Sequence, residues 1–565
     1  MNRNQNSHFS QLPQAEISRS KFKRSSSVKF SGNVGDIIPF YVDEVLPGDT
    51  FDITTNKLVR MQPLVAPIMD NIYLDVYYFY VPMRLLWDHF QEFMGENTTS
   101  AWTQPVTYSI PQISYPNNTL QPLTYGWDIG TVADYMGLSP TSTINGTSSS
   151  SEEFRPTVSA LPFRAYALIW NEWFRDENLQ DPLVIPKGDA LVAGDNDKAV
   201  NGGKLLKAGK FRDYFTSCLP APQKGPDVLL PIGRSAPVFA SHENIPNLSS
   251  TALLWNNIAG GNLPEGLHGI DLYSRSGDSP IGSTYINSSA AVDNDQIQIA
   301  PANLWADLTE ATSATINQLR LAFQMQRIYE KDARGGTRYI EILKNHFGVT
   351  SPDSRLQRPE YLGGNRMMIN INQVIQTSNT VDNSPQGNPA AYSLTVDSHS
   401  DFVHSFVEHG YLVGLAVARY DHSYQQGVER FWSRKDRFDF YFPSLANIGE
   451  QPVYNREIFL QGNKADDEVF GYQEAWADYR YKPARVAGEM RSFAKNTLDV
   501  WHLADLYKEQ PYLSAGWIQE DGTIVDRALS VTSKISNQFY ADFYIENYTT
   551  RPMPLFSIPG LIDHH

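Results

Sequence analysis

The stretch Ile72 to Trp87, IYLDVYYFYVPMRLLW, constrains the fold more than any other part of this 565-residue chain. Side chains alternate across a strand, so Ile72, Leu74, Val76, Tyr78 and Tyr80 share one face while Tyr73, Asp75, Tyr77, Phe79 and Val81 share the other. Both faces are largely apolar or aromatic, which predicts a strand covered on both sides. Pro82 cannot donate to a ladder and ends it. Leu86, Phe90 and Phe93 then predict a helix over Met83–Phe93.

A strand with no free face needs partners, and the chain offers them far apart. Two apolar runs flank Pro47-Gly48-Asp49, whose residues favour a turn for separate reasons, so the stretch from Gly35 to Ile53 reads as a β-connection. Strand patterns return at Phe402–Arg419, Phe438–Phe442 and Phe539–Tyr548, and pairing of residues near 75 with residues near 543 would close one domain by distant strands. Helix is predicted over Phe163–Leu179, ended by Asp181-Pro182, and again from Ile316 with Leu319, Phe323, Gln326 and Tyr329 on one face. A short helix follows over Arg338–Phe347, with Thr337 as its cap and Gly348 as its stop. Phe211–Gly233, rich in proline after Cys218, predicts an extended connector. Arg234–Ile299 is the least patterned part of the body and predicts a protruding insertion.

Charge is distributed unevenly. Residues 1–30 carry Arg3, Arg19, Lys21, Lys23, Arg24 and Lys29 against Glu16, a net +5, so the remainder carries −21 of the chain's formal −16. An acidic body with a small basic arm predicts that the arm, taken as residues 1–35, meets a polyanion. Six cations on single-stranded phosphates would give a log–log salt slope of about −4 per chain. Phe9, Phe22 and Phe30 add rings on which unpaired bases stack.

Other classes find little support. There is no heptad, internal repeat, secretory signal or apolar run of membrane-crossing length, and the lone Cys218 excludes an internal disulfide framework. His399, His404 and His409, five apart, do not converge as zinc ligands do. Lys204 follows glycines, yet Lys198 and Leu205 break the phosphate-loop pattern. Asp195-Asn196-Asp197 and Asp293-Asn294-Asp295 lack the rest of a calcium loop. No residue is assigned a catalytic or metal-binding role, no cofactor is expected, and the chain reads as structural rather than enzymatic. The competing class, a β-rich carbohydrate-binding or glycoside-cleaving protein, would need export or a defined acidic dyad.

Three segments carry a resemblance: FTSCLPAPQKGP (215–226), ATINQLRLAFQMQRIYEKDARGGTRYIEILKNHFGVTSPDSRLQRPEYLGG (314–364) and the tail NYTTRPMPLFSIPGLIDHH. They are similar to the major capsid proteins of gokushoviruses, small single-stranded DNA bacteriophages of the Microviridae. The resemblance runs along essentially the whole chain and is weakest over about 234–300. It implies a mainly β fold, an eight-stranded antiparallel viral jelly roll over residues 36–565 with long inserted loops and several α-helices. It further implies sixty copies in a T=1 icosahedral shell around a circular single-stranded DNA genome, assembled in the host cytoplasm. The implied partners are the internal scaffolding protein, the DNA pilot protein, a small basic DNA-binding protein and, through a surface loop matching 234–300, a bacterial receptor. No membrane insertion is implied.

Overall fold

The computed structural model describes residues 17–98, 106–116, 126–138, 156–226, 228, 316–381 and 385–556, with the backbone of six short strands between Val238 and Ala306. Two antiparallel sheets dominate the larger of its two compact units. In chain order their strands are β1 (Ser20–Lys23), β2 (Ser26–Gly32), β3 (Ile37–Val45), β4 (Thr50–Met61) and β5 (Ile72–Pro82). After a long insertion come β6 (Glu360–Gly363), β7 (Arg366–Met368), β8 (Thr395–Ser405), β9 (Gly410–Tyr420) and β10 (Phe539–Arg551). The first sheet runs β1-β10-β4-β8, with β2 continuing along β10; the second runs β6-β5-β9-β3, with β7 continuing along β5.

The alternation that marks these strands in sequence also joins the sheets. β10 buries Phe539, Ala541, Phe543 and Ile545, and β4 buries Phe51, Ile53, Val59 and Met61. Opposite them, Ile72, Leu74, Val76, Tyr78 and Tyr80 of β5 enter the same core. Phe543 meets Phe40 edge-on across the gap at 5.0 Å, Tyr78 lies 5.5 Å from Phe402, and the Tyr78 and Thr55 hydroxyls hydrogen-bond at 2.7 Å. Each fully buried large apolar side chain here contributes about 1.5–3 kcal/mol. Residues near 75 and 543 therefore face each other from different sheets and do not pair, in contrast to the sequence expectation. β5 takes its ladder bonds from β9, while β10 takes its own from β4.

The other face of β5 is covered as its composition demands. Phe79 and Val81 are buried in a second core under α1 (Leu161–Ile169), with Trp173, Phe174 and Tyr361 around Phe79 at 5.4–6.2 Å. Asp75, the one acid on that face, is 2% exposed and is held by Arg366 and Arg419. Two glycines make the local geometry possible. Gly48 supplies φ +88° in the β3–β4 turn. At Gly364 a Cβ would collide with the Val76 carbonyl, so only glycine lets β6 and β7 both follow β5.

Several helix and strand boundaries differ from those the sequence suggests. Met83–Phe93 holds only a 3-10 turn, Met83–Leu85, and one helical turn, Phe90–Phe93. Side chain demands explain the break: Trp87 Nε1 donates to Asp189 Oδ1 at 2.5 Å and is drawn into the second core. The 163–179 helix begins at Leu161, widens into a π turn over Trp170–Phe174 and stops when Arg175 turns extended. Phe402–Arg419 is not one strand: it spans the end of β8 and most of β9, which part into different sheets across the break at Phe406–His409. Phe438–Phe442 makes no ladder; Arg437–Asp439 is a 3-10 turn because the Asp439 carboxylate accepts from the Lys435 and Asp436 amides. Phe211–Lys224 is folded rather than an extended rod, with turns around Asp213 and a bridge from Leu219 to Tyr472.

α2 (Ile316–Gly335) leads into α3 (Tyr339–Phe347). The cap of α3 is Arg338, whose amide donates to Glu341 Oε2 at 3.1 Å, while Thr337 instead donates to Glu177. The second compact unit is Gly225–Tyr329, which contains the segment 234–300. Its described strands form three nested antiparallel pairs: Val238–Ala240 with Leu304–Ala306, Trp255–Asn257 with Ile299–Pro301, and Leu272–Ser274 with Thr284–Ile286. Asp293-Asn294-Asp295 lies outside the described residues.

Candidate nucleic-acid interface

The basic arm enters the first sheet from Ser20 onward, and its cations divide by strand periodicity. In β1 and β2, Phe22, Val28 and Phe30 turn inward, which leaves Lys21, Lys23 and Lys29 exposed on the outer face. β10 lies beside them and presents Tyr540, Tyr544 and Tyr548 on that same face, spaced four apart. Lys21 Nζ lies 4.8 Å over the Tyr548 ring and Lys23 Nζ lies 5.8 Å from it. Arg60 of β4 adds a further exposed cation.

Not every arm cation is available to a ligand. Arg24 makes a two-pronged bond to Asp43, at 2.6 and 2.7 Å, and lies over the Phe51 ring. Burial alone would lower the Arg24 pKa, but the hydrogen bond and charge of Asp43 outweigh it and raise the value. Lys29 lies 3.4 Å from Asp542, a pair largely open to solvent. Arg19 packs against Gly48. Arg3 lies outside the described residues, as does Phe9.

The three histidines are each placed by a neighbour. His399 bonds Asp401, His404 lies against Phe406, and His409 meets Phe90 edge-on. Lys204 pairs with Asp197 and Lys198 with Asp195 on the loop that resembled a phosphate cradle. Cys218 is 3% exposed, and burial pushes its thiol well above the ordinary range. No group of histidines, cysteines and acids suited to a metal occurs among the described residues, and none of their helices is long and apolar enough to cross a membrane.

A second surface of rings and cations was not picked out from sequence. Arg430–Phe442, RFWSRKDRFDFYF, packs four cations and six aromatics against two acids into thirteen residues, and that interleaving was the available signal. Here it borders a cleft of about 500 Å³ lined by Phe431, Trp432, Arg434, Tyr479, Lys482 and Arg485, among others. Its floor is a third core, built on Tyr214, Phe215, Tyr424, Val453, Ile458 and Phe470.

Large apolar side chains also remain on the outside. α2 buries only Ala333 and leaves Ile316, Leu321, Phe323, Met325 and Ile328 exposed, so Ile316 and Phe323, which share one face by sequence, lie open. Phe347, Leu555 and Phe556 are exposed as well. Surfaces of this kind mark contact with other protein.

A two-sheet β protein with long insertions and large apolar side chains left exposed on its helices has the surface of a subunit that assembles with other protein. The capsid protein (F protein) family model matches residues 10–561, and the chain belongs to that family. It is 43% identical over 562 residues to capsid protein VP1 of Spiroplasma virus 4, an alignment covering 98% of this chain and 97% of that protein. Capsid protein VP1 of Bdellovibrio phage phiMH2K is 41% identical over 558 residues, and that of Chlamydia phage 1 is 40% identical over 601, each with the same shares covered. The chain is thus a major capsid protein of the Microviridae type, a non-enzymatic component of the virion that assembles with its own copies.

Proposed function

We propose that the chain is the repeating subunit of a sixty-copy T=1 icosahedral shell around circular single-stranded DNA, and that its two sheets form an eight-stranded viral jelly roll. Strand order carries this reading. When β1 and β2 count as one interrupted strand, and β6 and β7 as another, the first sheet holds the first, eighth, third and sixth strands. The second holds the fifth, fourth, seventh and second. Successive strands therefore alternate between sheets except at the fourth and fifth, the interleaved Greek-key arrangement of a jelly roll. On this reading residues 20–32 are its opening strand, and the free arm is shorter than residues 1–35.

The register places the two long insertions at opposite ends. Pro82 pairs with Gly410 and Ile72 with Tyr420, so residues 83–359 leave from one end and 421–538 from the other. Insertions at both ends and exposed apolar helices suit a subunit with neighbours on several sides. The outer face of the first sheet, with Lys21, Lys23, Lys29 and the tyrosine row, is assigned to the inside, facing DNA. Scaffolding, DNA pilot and small basic proteins are its proposed phage partners, and segment 234–300 its proposed contact with the host.

Sedimentation and negative-stain microscopy of the expressed chain test the shell directly. Sixty chains of 63.7 kDa give closed particles of about 3.8 MDa. A stable monomer or small oligomer under virion-like conditions, with every phage partner supplied, would refute it.

A further inference from the structure

We propose that the cleft beside Phe431 and Trp432 is a second single-stranded nucleic-acid site, separate from the arm, which stacks bases on its exposed rings and holds phosphates on its basic edge. This rests on the reading that the shell encloses single-stranded DNA.

The rings come first. Trp432 is 71% exposed, and its ring lies 4.8 Å from that of Phe431 with only 35° between their planes, so the two offer a nearly continuous apolar platform. Tyr479 and Tyr481 also line the cleft, 52% and 50% exposed. None of the four is needed by the core beneath, which is closed by Tyr214, Phe215 and Tyr424. Leaving such rings in water forgoes their burial, a cost that a stacked base would recover.

The cations come next. Lys482 Nζ sits 5.2 Å over the Phe431 ring, and the Arg434 guanidinium 4.3 Å over that of Tyr479. Arg434 is committed to Asp478, whereas Lys482 and Arg485 share the single carboxylate of Glu429 and are 66% and 71% exposed. Five cations line the cleft against Glu429, Glu457 and Asp478, a local +2 on a chain of −16. A polyanion is drawn to that contrast.

The site is also rigid. The Tyr424 hydroxyl donates to Asp213 Oδ2 at 2.5 Å, and the Arg491 guanidinium donates to the Gln425 carbonyl at 2.6 Å. Trp476, adjoining in sequence the segment that carries Tyr479 and Tyr481, is held at φ +63°, a conformation a bulky residue adopts only where its surroundings impose it. A volume of about 500 Å³ falls in the range that encloses a small ligand, here about one or two nucleotides. Rings alternating with cations match unpaired bases on a phosphate backbone, and a duplex would hide those bases.

Binding of the full-length chain to fluorescein-labelled dT20, followed by anisotropy across a salt series, tests the assignment. Trp432→Ala is expected to weaken binding by about 5- to 100-fold with the salt slope unchanged, while Trp432→Phe retains most affinity. Lys482→Gln with Arg485→Gln is expected to flatten the log–log slope by about 1.4. Thermal melts verify that each variant folds. Wild-type affinity and slope in both sets would overturn this site while leaving an encapsidated single strand intact. Absence of dT20 binding by the wild-type chain would instead overturn both. Competition by polyglutamate equal to that by dT20 would reassign the cleft to an acidic peptide.

Discussion

The N-terminal strands and the loop Arg430–Phe442 are both basic and aromatic, yet the fold treats them in opposite ways. In the arm, period-2 geometry turns Phe22 and Phe30 into the sandwich and leaves lysines outside, so rings and cations part onto different faces. In the loop no ladder imposes that alternation, and cations sit over ring faces around one cleft. Composition alone did not distinguish a stretch whose aromatics build a core from one whose aromatics stay at the surface. Backbone hydrogen bonding did.

The largest effect is expected where the arm's rings enter the core. Phe543 touches both Phe30 of β2 and Phe40 of β3 at 5.0 Å, so it clamps the arm to the sandwich. Phe543→Ala should cost about 3–5 kcal/mol in urea unfolding. A loss below about 1 kcal/mol would mean that β2 is not integral to the core and that the arm resembles the loop more than the comparison allows.

Next to the cleft, where Gln425 bonds the Asp505 carbonyl, buried charge predicts a pH dependence. His422 is fully enclosed between Asp505 and Glu520, at 2.9 and 3.1 Å, and Lys210 lies 3.5 Å from Asp505. Burial would lower the His422 pKa, but the hydrogen bonds and charges of Asp505 and Glu520 prevail and raise it to about 9. The folded state therefore favours the imidazolium. That contribution, about 3 kcal/mol, is fully present below pH 6.5 and is lost as pH rises through about 9. Asp505, held down to about 2 by Lys210 and His422 against its own desolvation, contributes above the ordinary carboxylate range and loses its contribution only as pH falls through about 2. Urea unfolding at pH 6 and pH 10 should show a fall that His422→Gln largely abolishes. Equal falls in both proteins would place the titration elsewhere.

How much was legible in the sequence follows the same division. The two-faced strand, the Pro47-Gly48-Asp49 turn and β10 could be read because alternation and turn chemistry are local. The pairing of β5 could not, since both candidate partners are apolar on the required face and only the order of strands in space decides between them. The strand expected over Phe438–Phe442 failed because the Asp439 carboxylate captures two backbone amides that a ladder would need. The arm's cations were legible as a charge excess. Their neutralisation was not: Asp43 and Asp542 lie 19 and more than 500 residues away and reach Arg24 and Lys29 only through the fold.

That neutralisation supplies the finest test of the comparison, because two arm cations differ in burial and hence in what they do. The Arg24 side chain is 33% exposed and its partner Asp43 12%, and Arg24→Gln strands a shielded carboxylate that also accepts from the Tyr41 hydroxyl at 2.9 Å. Loss of the charge-assisted pair should cost about 1–3 kcal/mol, with dT20 affinity and salt slope unchanged. Lys29, 69% exposed beside Asp542, is screened by water, so Lys29→Gln should change stability by less than about 0.5 kcal/mol. Its removal should show instead as a salt slope flatter by about 0.7. If Arg24→Gln alters the slope and Lys29→Gln does not, the buried cation is the one facing DNA, and the outward lysine face of β1 and β2 is not the inner surface of the shell.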